Sequence, residues 1–173
     1  VALMSWLALT AFLHSSMAQE TRSLLRRWNI CLIFLAFFLS IFGTFITRSG
    51  LISSVHSFAQ SSIGPYFMVF IIFIVLFSLF MYQKNKKIIS SKEDILSLLS
   101  KENFLIFNNI FFLVITLTVF LGTVFPIISE AITGEKILVG PTFYDLVNFP
   151  NVLLLMSLMS VAPIIPWKDA KLI

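Results

Sequence analysis

His14, His56 and Arg48 are the groups in this sequence whose types and surroundings can do chemistry. His14 lies in the apolar run Val1 to Ala18, before the polar pair Gln19-Glu20. At 1.5 Å per helical residue, that places the ring about 6 to 8 Å inside a membrane edge. An imidazole there is costly to bury, so it is either a ligand for a metal or haem, or a neutral ring bonded to a neighbouring helix through Ser15 or a carbonyl. His56 sits in a more polar stretch, eight residues after Arg48, with Val55 and Phe58 able to hold its ring against an apolar surface. It reads as a loop histidine or as a second metal or haem ligand. Arg48 reads either as a snorkelling anchor or as a clamp for an anion such as a propionate.

Geometry separates the two imidazoles. The apolar run Trp28 to Thr47 between them has 20 residues, and as a helix it is about 30 Å long. Two axial ligands must each come within about 2 Å of a shared metal. His14 and His56 therefore serve two centres on opposite sides of a membrane, if both are ligands.

Other chemistries are poorly supported. Cys31 is the single cysteine and lies in an apolar run, so it reads as a packing residue and excludes a disulfide scaffold. The sequence has no CxxCH attachment site, no metal-type Cys/His spacing, no phosphate-cradling glycine loop and no plausible Ser/His/Asp set. Asn108-Asn109 reads as a source of interhelical hydrogen bonds. Glu130, Glu135 and Asp145 read as solvated, and Pro126, Pro163 and Pro166 as helix kinks or stops.

The elements that must position these residues follow from composition. Of 173 residues, 58% are hydrophobic and 12% charged, with 20 Phe, and the mean hydropathy is +0.99. Soluble domains carry about 25% charged residues, so this chain cannot cover a water-facing core. It is an integral membrane protein. Five apolar runs, 1–18, 28–47, 65–82, 104–128 and 149–167, each approximate the 17 to 25 residues a spanning helix needs. Backbone amides find no water in hydrocarbon, so every run must be helical. The fold class expected is an all-α, polytopic membrane bundle of about five transmembrane helices, forming one domain over 1–173, with short amphipathic interfacial helices at 51–58 and 142–147. A capped surface helix is expected from Ser91 to Leu99.

Charge sets the topology. Ten basic residues fall in the first and third connections and the tail, whereas only Arg48 and Lys136 fall in the other two connections. The positive-inside rule puts the ten in the cytoplasm or its equivalent, and it explains the net charge of +4 without nucleic acid as a partner. The sequence begins at Val1 with no basic segment ahead of its first apolar run, so it reads as neither a signal peptide nor a natural start. A fragment of a larger membrane protein is expected.

Several strings together resemble a known family. Trp6-Leu7 through Leu13-His14-Ser15, Gly43-Thr44-Phe45-Ile46-Thr47-Arg48-Ser49-Gly50 and Ser54-Val55-His56-Ser57-Phe58-Ala59 are similar to the central segment of CcmF-type haem lyase subunits of cytochrome c maturation. The 42-residue separation of the histidines fits that pattern, as do Asn108-Asn109, Leu121-Gly122-Thr123-Val124-Phe125-Pro126 and Pro163-Ile164-Ile165-Pro166-Trp167. Ser5 departs from it, standing where the family often has Pro. The resemblance implies that His14 is one axial ligand of a membrane-embedded haem b and His56 one axial ligand of an external haem awaiting attachment. The second ligand of each iron would come from family segments outside this chain. It further implies apocytochrome c, a haem chaperone of the CcmE type, a thiol-reducing partner of the CcmH type and the remaining segments of the haem lyase as partners. The implied location is a bacterial inner membrane, or a mitochondrial one. The alternatives are a related haem-delivery protein of the CcsA or CcmC type and a non-catalytic membrane scaffold.

Overall fold

The computed structural model describes residues 2–22, 25–49, 63–89 and 100–165. They form five helices, α1 (Ala2–Arg22), α2 (Arg26–Ser49), α3 (Gly64–Asn85), α4 (Lys101–Thr133) and α5 (Pro141–Val161). No strand occurs among the described residues, as the need for internal hydrogen bonding in lipid requires. Four helices, α2 to α5, are long and apolar enough to cross a membrane. At 21 residues α1 is long enough, but Ser5, Thr10, His14, Ser15, Ser16 and Gln19 make it less apolar than the other four.

Several threonine hydroxyls within the helices are satisfied locally. Thr116 Oγ1 donates to the carbonyl of Phe112 at 2.8 Å, Thr118 Oγ1 to Val114 at 2.9 Å and Thr44 Oγ1 to Ser40 at 3.0 Å. Each uses the carbonyl one turn back, so the hydroxyl carries no unpaid desolvation into the apolar layer. Ser100 caps α4 by accepting from the Asn103 amide at 3.4 Å. Gly134 ends it in the left-handed conformation, φ 76°, its amide donating to the Glu130 carbonyl at 3.0 Å. Glycine takes that conformation without steric penalty.

Two element boundaries differ from the sequence expectation. Helix α5 begins at Pro141 rather than Phe149, so 142–147 is the first part of a continuous helix and not a separate interfacial one. Pro141 in the first turn, where its missing amide costs nothing, starts the helix early. The same helix stops at Val161 instead of continuing to Trp167, with Pro163 in the turn that follows. Helix α4 runs through Pro126 without ending. The expected helices at 51–58 and 91–99 lie outside the described residues.

The helices pack as a row. Helix α3 packs on α2, α2 on α1, α1 on α4 and α4 on α5. The outermost member α3 buries only Gly64 and Ile74, while Phe73, Phe77 and Phe80 stay exposed, as suits a lipid-facing surface. Small residues bring the inner helices together: Ala8, Ala11 and Ala18 of α1 are completely buried. Met4 and Ala8 cluster with Ala36 and Leu39 of α2. Leu7 and Ala11 cluster with Leu32 of α2, Phe112 and Ile115 of α4 and Leu155 of α5.

A polar ladder ties α1 to α2. Ser15 Oγ donates to Asn29 Oδ1, and Asn29 Nδ2 donates to Gln19 Oε1 at 2.6 Å. Cys31, expected to pack, is exposed on the opposite side of α2. Replacement Asn29→Leu removes the partner of Gln19 and leaves Ser15 only the carbonyls of its own helix, and we expect it to lower stability by about 1 kcal/mol, the scale of interhelical hydrogen bonds in membranes. Denaturant titration of the detergent-solubilised protein measures it. At the α4–α5 contact, a Cβ on Gly122 would lie only 2.7 Å from Tyr144 Cζ and 2.8 Å from Cε1. Gly122→Leu should therefore cost about 1 to 3 kcal/mol through overpacking, with a lowered Tm.

Candidate functional site

The heptad-like line Met4, Ala8, Ala11, Ser15 and Ala18 is the buried stripe of α1. His14 stands beside that stripe, on the side nearer α4, and is half-buried. Its ring meets Phe112 at 5.4 Å between centroids, with the planes inclined at 47°. His14 Nδ1 is buried and makes no hydrogen bond. Ser15, read from sequence as a possible partner for the imidazole, instead bonds the carbonyls of Ala11 and Phe12 and the side chain of Asn29. The structural reading of a ring tied down by its neighbours is therefore not met.

The α1–α4 register is antiparallel. Met4 and Ala8, with their partners on α2, pack near Val119 and Phe120, whereas His14 meets Phe112. One turn further along α4 toward its start stand Asn108 and Asn109, 2% and 0% exposed. Asn108 Oδ1 and both amide atoms of Asn109 have no hydrogen-bond partner. The interhelical bonds expected of this pair are not found among the described residues. Burying an unpaired amide costs about 2 to 7 kcal/mol against water, so three unpaired atoms beside an unpaired imidazole nitrogen are conspicuous. The spacing of three and four residues from Phe112 was the signal in the sequence, since it puts both asparagines on the face that meets His14.

Arg48 lies in the last turn of α2 and is exposed. It forms no ion pair among the described residues; the pair found there is Lys136 with Glu130, at 3.7 Å. His56 lies outside the described residues. The structure thus places His14 and Arg48 in the opposite halves of their antiparallel helix pair and does not bring them together. A groove of about 310 Å³ near the Arg48 end is lined by Ser5, Ser40, Gly43, Thr44 and Thr47. No group of three or more metal-ligating side chains occurs among the described residues.

One test of fit for haem is the donor set itself. A lone imidazole, buried at Nδ1 and unengaged by other side chains, suits an axial ligand that uses Nε2 and keeps a proton on Nδ1. The residues present fit the group on the His14 side, where His14 would hold it.

Comparison with known proteins agrees in sequence and in structure. The chain is 39% identical to the cytochrome c-type biogenesis protein ccl1 of Rhodobacter capsulatus, over 99% of this chain and 26% of that protein. It is 33% identical to the cytochrome c-type biogenesis protein CcmF of Pseudomonas aeruginosa, over 96% of this chain and 25% of that one. A solved structure, cytochrome c heme lyase CcmF, superposes with a TM-score of 0.70 at 28% identity, over 97% of this chain and 23% of that one. No protein-family model matches. The chain spans about a quarter of the length of the curated relatives it matches. Over nearly its whole length, then, this multi-pass membrane chain is the homologue of a quarter-length segment of the CcmF-type cytochrome c biogenesis proteins.

Proposed function

We propose that this chain contributes one axial imidazole to each of two haems in a cytochrome c haem lyase, and so helps attach haem to apocytochrome c at the outer face of a bacterial inner membrane. The observation that carries the reading is His14, half-buried against Phe112 with its Nδ1 unpaired. The relatives' names supply the reaction class. In this reading all five helices span the membrane as one domain, α1 included, its polar side turned to α2 and α4 and away from lipid.

Each residue has a distinct task. His14 would hold a haem b within the membrane through Nε2, with the apolar surface of Phe112 fixing the plane of the imidazole. His56, which follows α2 in the sequence, would hold the external haem. Arg48, exposed in the last turn of α2, would steady a carboxylate of the same group. His14 and His56 flank α2 in the sequence, and at 24 residues that helix is about 36 Å long, which favours two separate centres. Bound haem supplies a redox-active iron and, on the external side, the vinyl groups that join apocytochrome thiols. The second axial ligands, a haem chaperone of the CcmE type and a thiol-reducing partner of the CcmH type belong to the rest of the assembly.

The test uses membranes in which this chain is expressed with the remaining segments of the haem lyase. We expect His14→Ala to abolish the absorbance band of the membrane haem and leave the external haem, and His56→Ala to do the reverse. Arg48→Ala should lower external haem occupancy several-fold without touching the membrane haem. Both bands surviving both histidine replacements would end the proposal.

A further inference from the structure

The reading of His14 as a haem ligand leaves one atom unexplained, and the facing helix holds its complement. A histidine that binds a metal through Nε2 carries its proton on Nδ1, and that N–H needs an acceptor. His14 Nδ1 has none among the described residues, and the Ser15 hydroxyl, which donates toward Asn29 and its own helix's carbonyls, does not reach it. Phe112, the side chain in contact with the ring, offers no acceptor.

The nearest turn of α4 does. Phe112 follows Asn108 by four residues and Asn109 by three, so both amides share its face. The register set by the His14–Phe112 contact places Asn108 and Asn109 one turn from the level of His14 toward the start of α4, about 4.5 to 6 Å along the helix axis, a gap that a side chain or one water can span. Asn108 Oδ1 and Asn109 Oδ1 are buried and unpaired. Two orphan acceptors, Asn108 Oδ1 and Asn109 Oδ1, thus lie one turn from the unpaired His14 Nδ1, with Asn109 Nδ2 a further unpaired donor beside them.

We infer that an amide oxygen of the Asn108–Asn109 pair, directly or through one ordered water, accepts the Nδ1–H of His14 and thereby orients the imidazole and tunes the iron it holds. This inference rests on the haem-ligand reading of His14. The asparagine is a positioning residue, since it acts on the iron through the histidine. Its effect has a sign. An acceptor on Nδ1–H makes the imidazole more electron-rich, which favours ferric iron and lowers the reduction potential. Removing it raises the potential, and replacing it with a carboxylate lowers the potential further.

The experiment is a redox titration of the membrane haem in the assembled lyase, for the parent and for Asn108→Leu, Asn109→Leu, and the Gln and Asp replacements at each position. We expect one leucine variant to raise the midpoint potential and to weaken haem retention by about ten-fold or more. At that position Gln should restore parental behaviour, and Asp should shift the potential below the parent's. If a leucine variant fails to assemble, the Asp and Gln variants decide: a lowered potential with Asp supports the inference, and parental potentials throughout overturn it. A His14-dependent haem band whose potential no variant moves overturns the role of the asparagines and leaves the ligand reading intact. Absence of any His14-dependent band overturns both.

Discussion

The antiparallel contact between α1 and α4 is the constraint on which the surroundings of His14 depend. Alanines at 8, 11 and 18 are completely buried and let other helices come close to α1. That approach brings Phe112 onto the imidazole and sets the asparagine pair one turn beyond it. A bulkier stripe on α1 would move α4 outward and leave the ring facing acyl chains. Small residues matter more here than in water, because apolar side chains gain nothing by leaving lipid for one another and close packing is what remains.

Polar groups in this bundle fall into two kinds. Threonine and serine hydroxyls bond the carbonyl one turn back and ask nothing of neighbouring helices. Ser15, Asn29 and Gln19 satisfy one another across α1 and α2. Against that background the unpaired atoms of His14, Asn108 and Asn109 form a distinct group. Their desolvation has no return within the described chain, and a site that takes a further group is the physical account that removes the cost.

Much of this was legible in the sequence. Length and hydropathy gave the helices, because a chain in hydrocarbon has no other way to pair its amides. The start of α5 was obscured by Asp145 and Asn148, polar residues that made the first turns look interfacial although Pro141 starts a continuous helix there. Cys31 looked buried because an apolar run hides which face meets protein and which meets lipid. His14 was found because ionisable groups inside an apolar span are rare, but the direction of Ser15 was not, since adjacent residues on a helix diverge by about 100°. Asn108 and Asn109 were seen as polar residues, and only packing reveals that nothing nearby answers them.

The row in which the helices pack has a mechanical consequence. Among the described residues, α1 is the helix packed along both α2 and α4, and α2 meets α4 beside it through side chains, Phe42 against Phe120 with ring centroids 5.3 Å apart. Shear between the two halves is therefore taken up along α1 and this adjoining ring contact, and the imidazole sits on the α4 side of α1. Should one half slide against the other by even a fraction of a helical turn, the ring would be among the first groups to feel it.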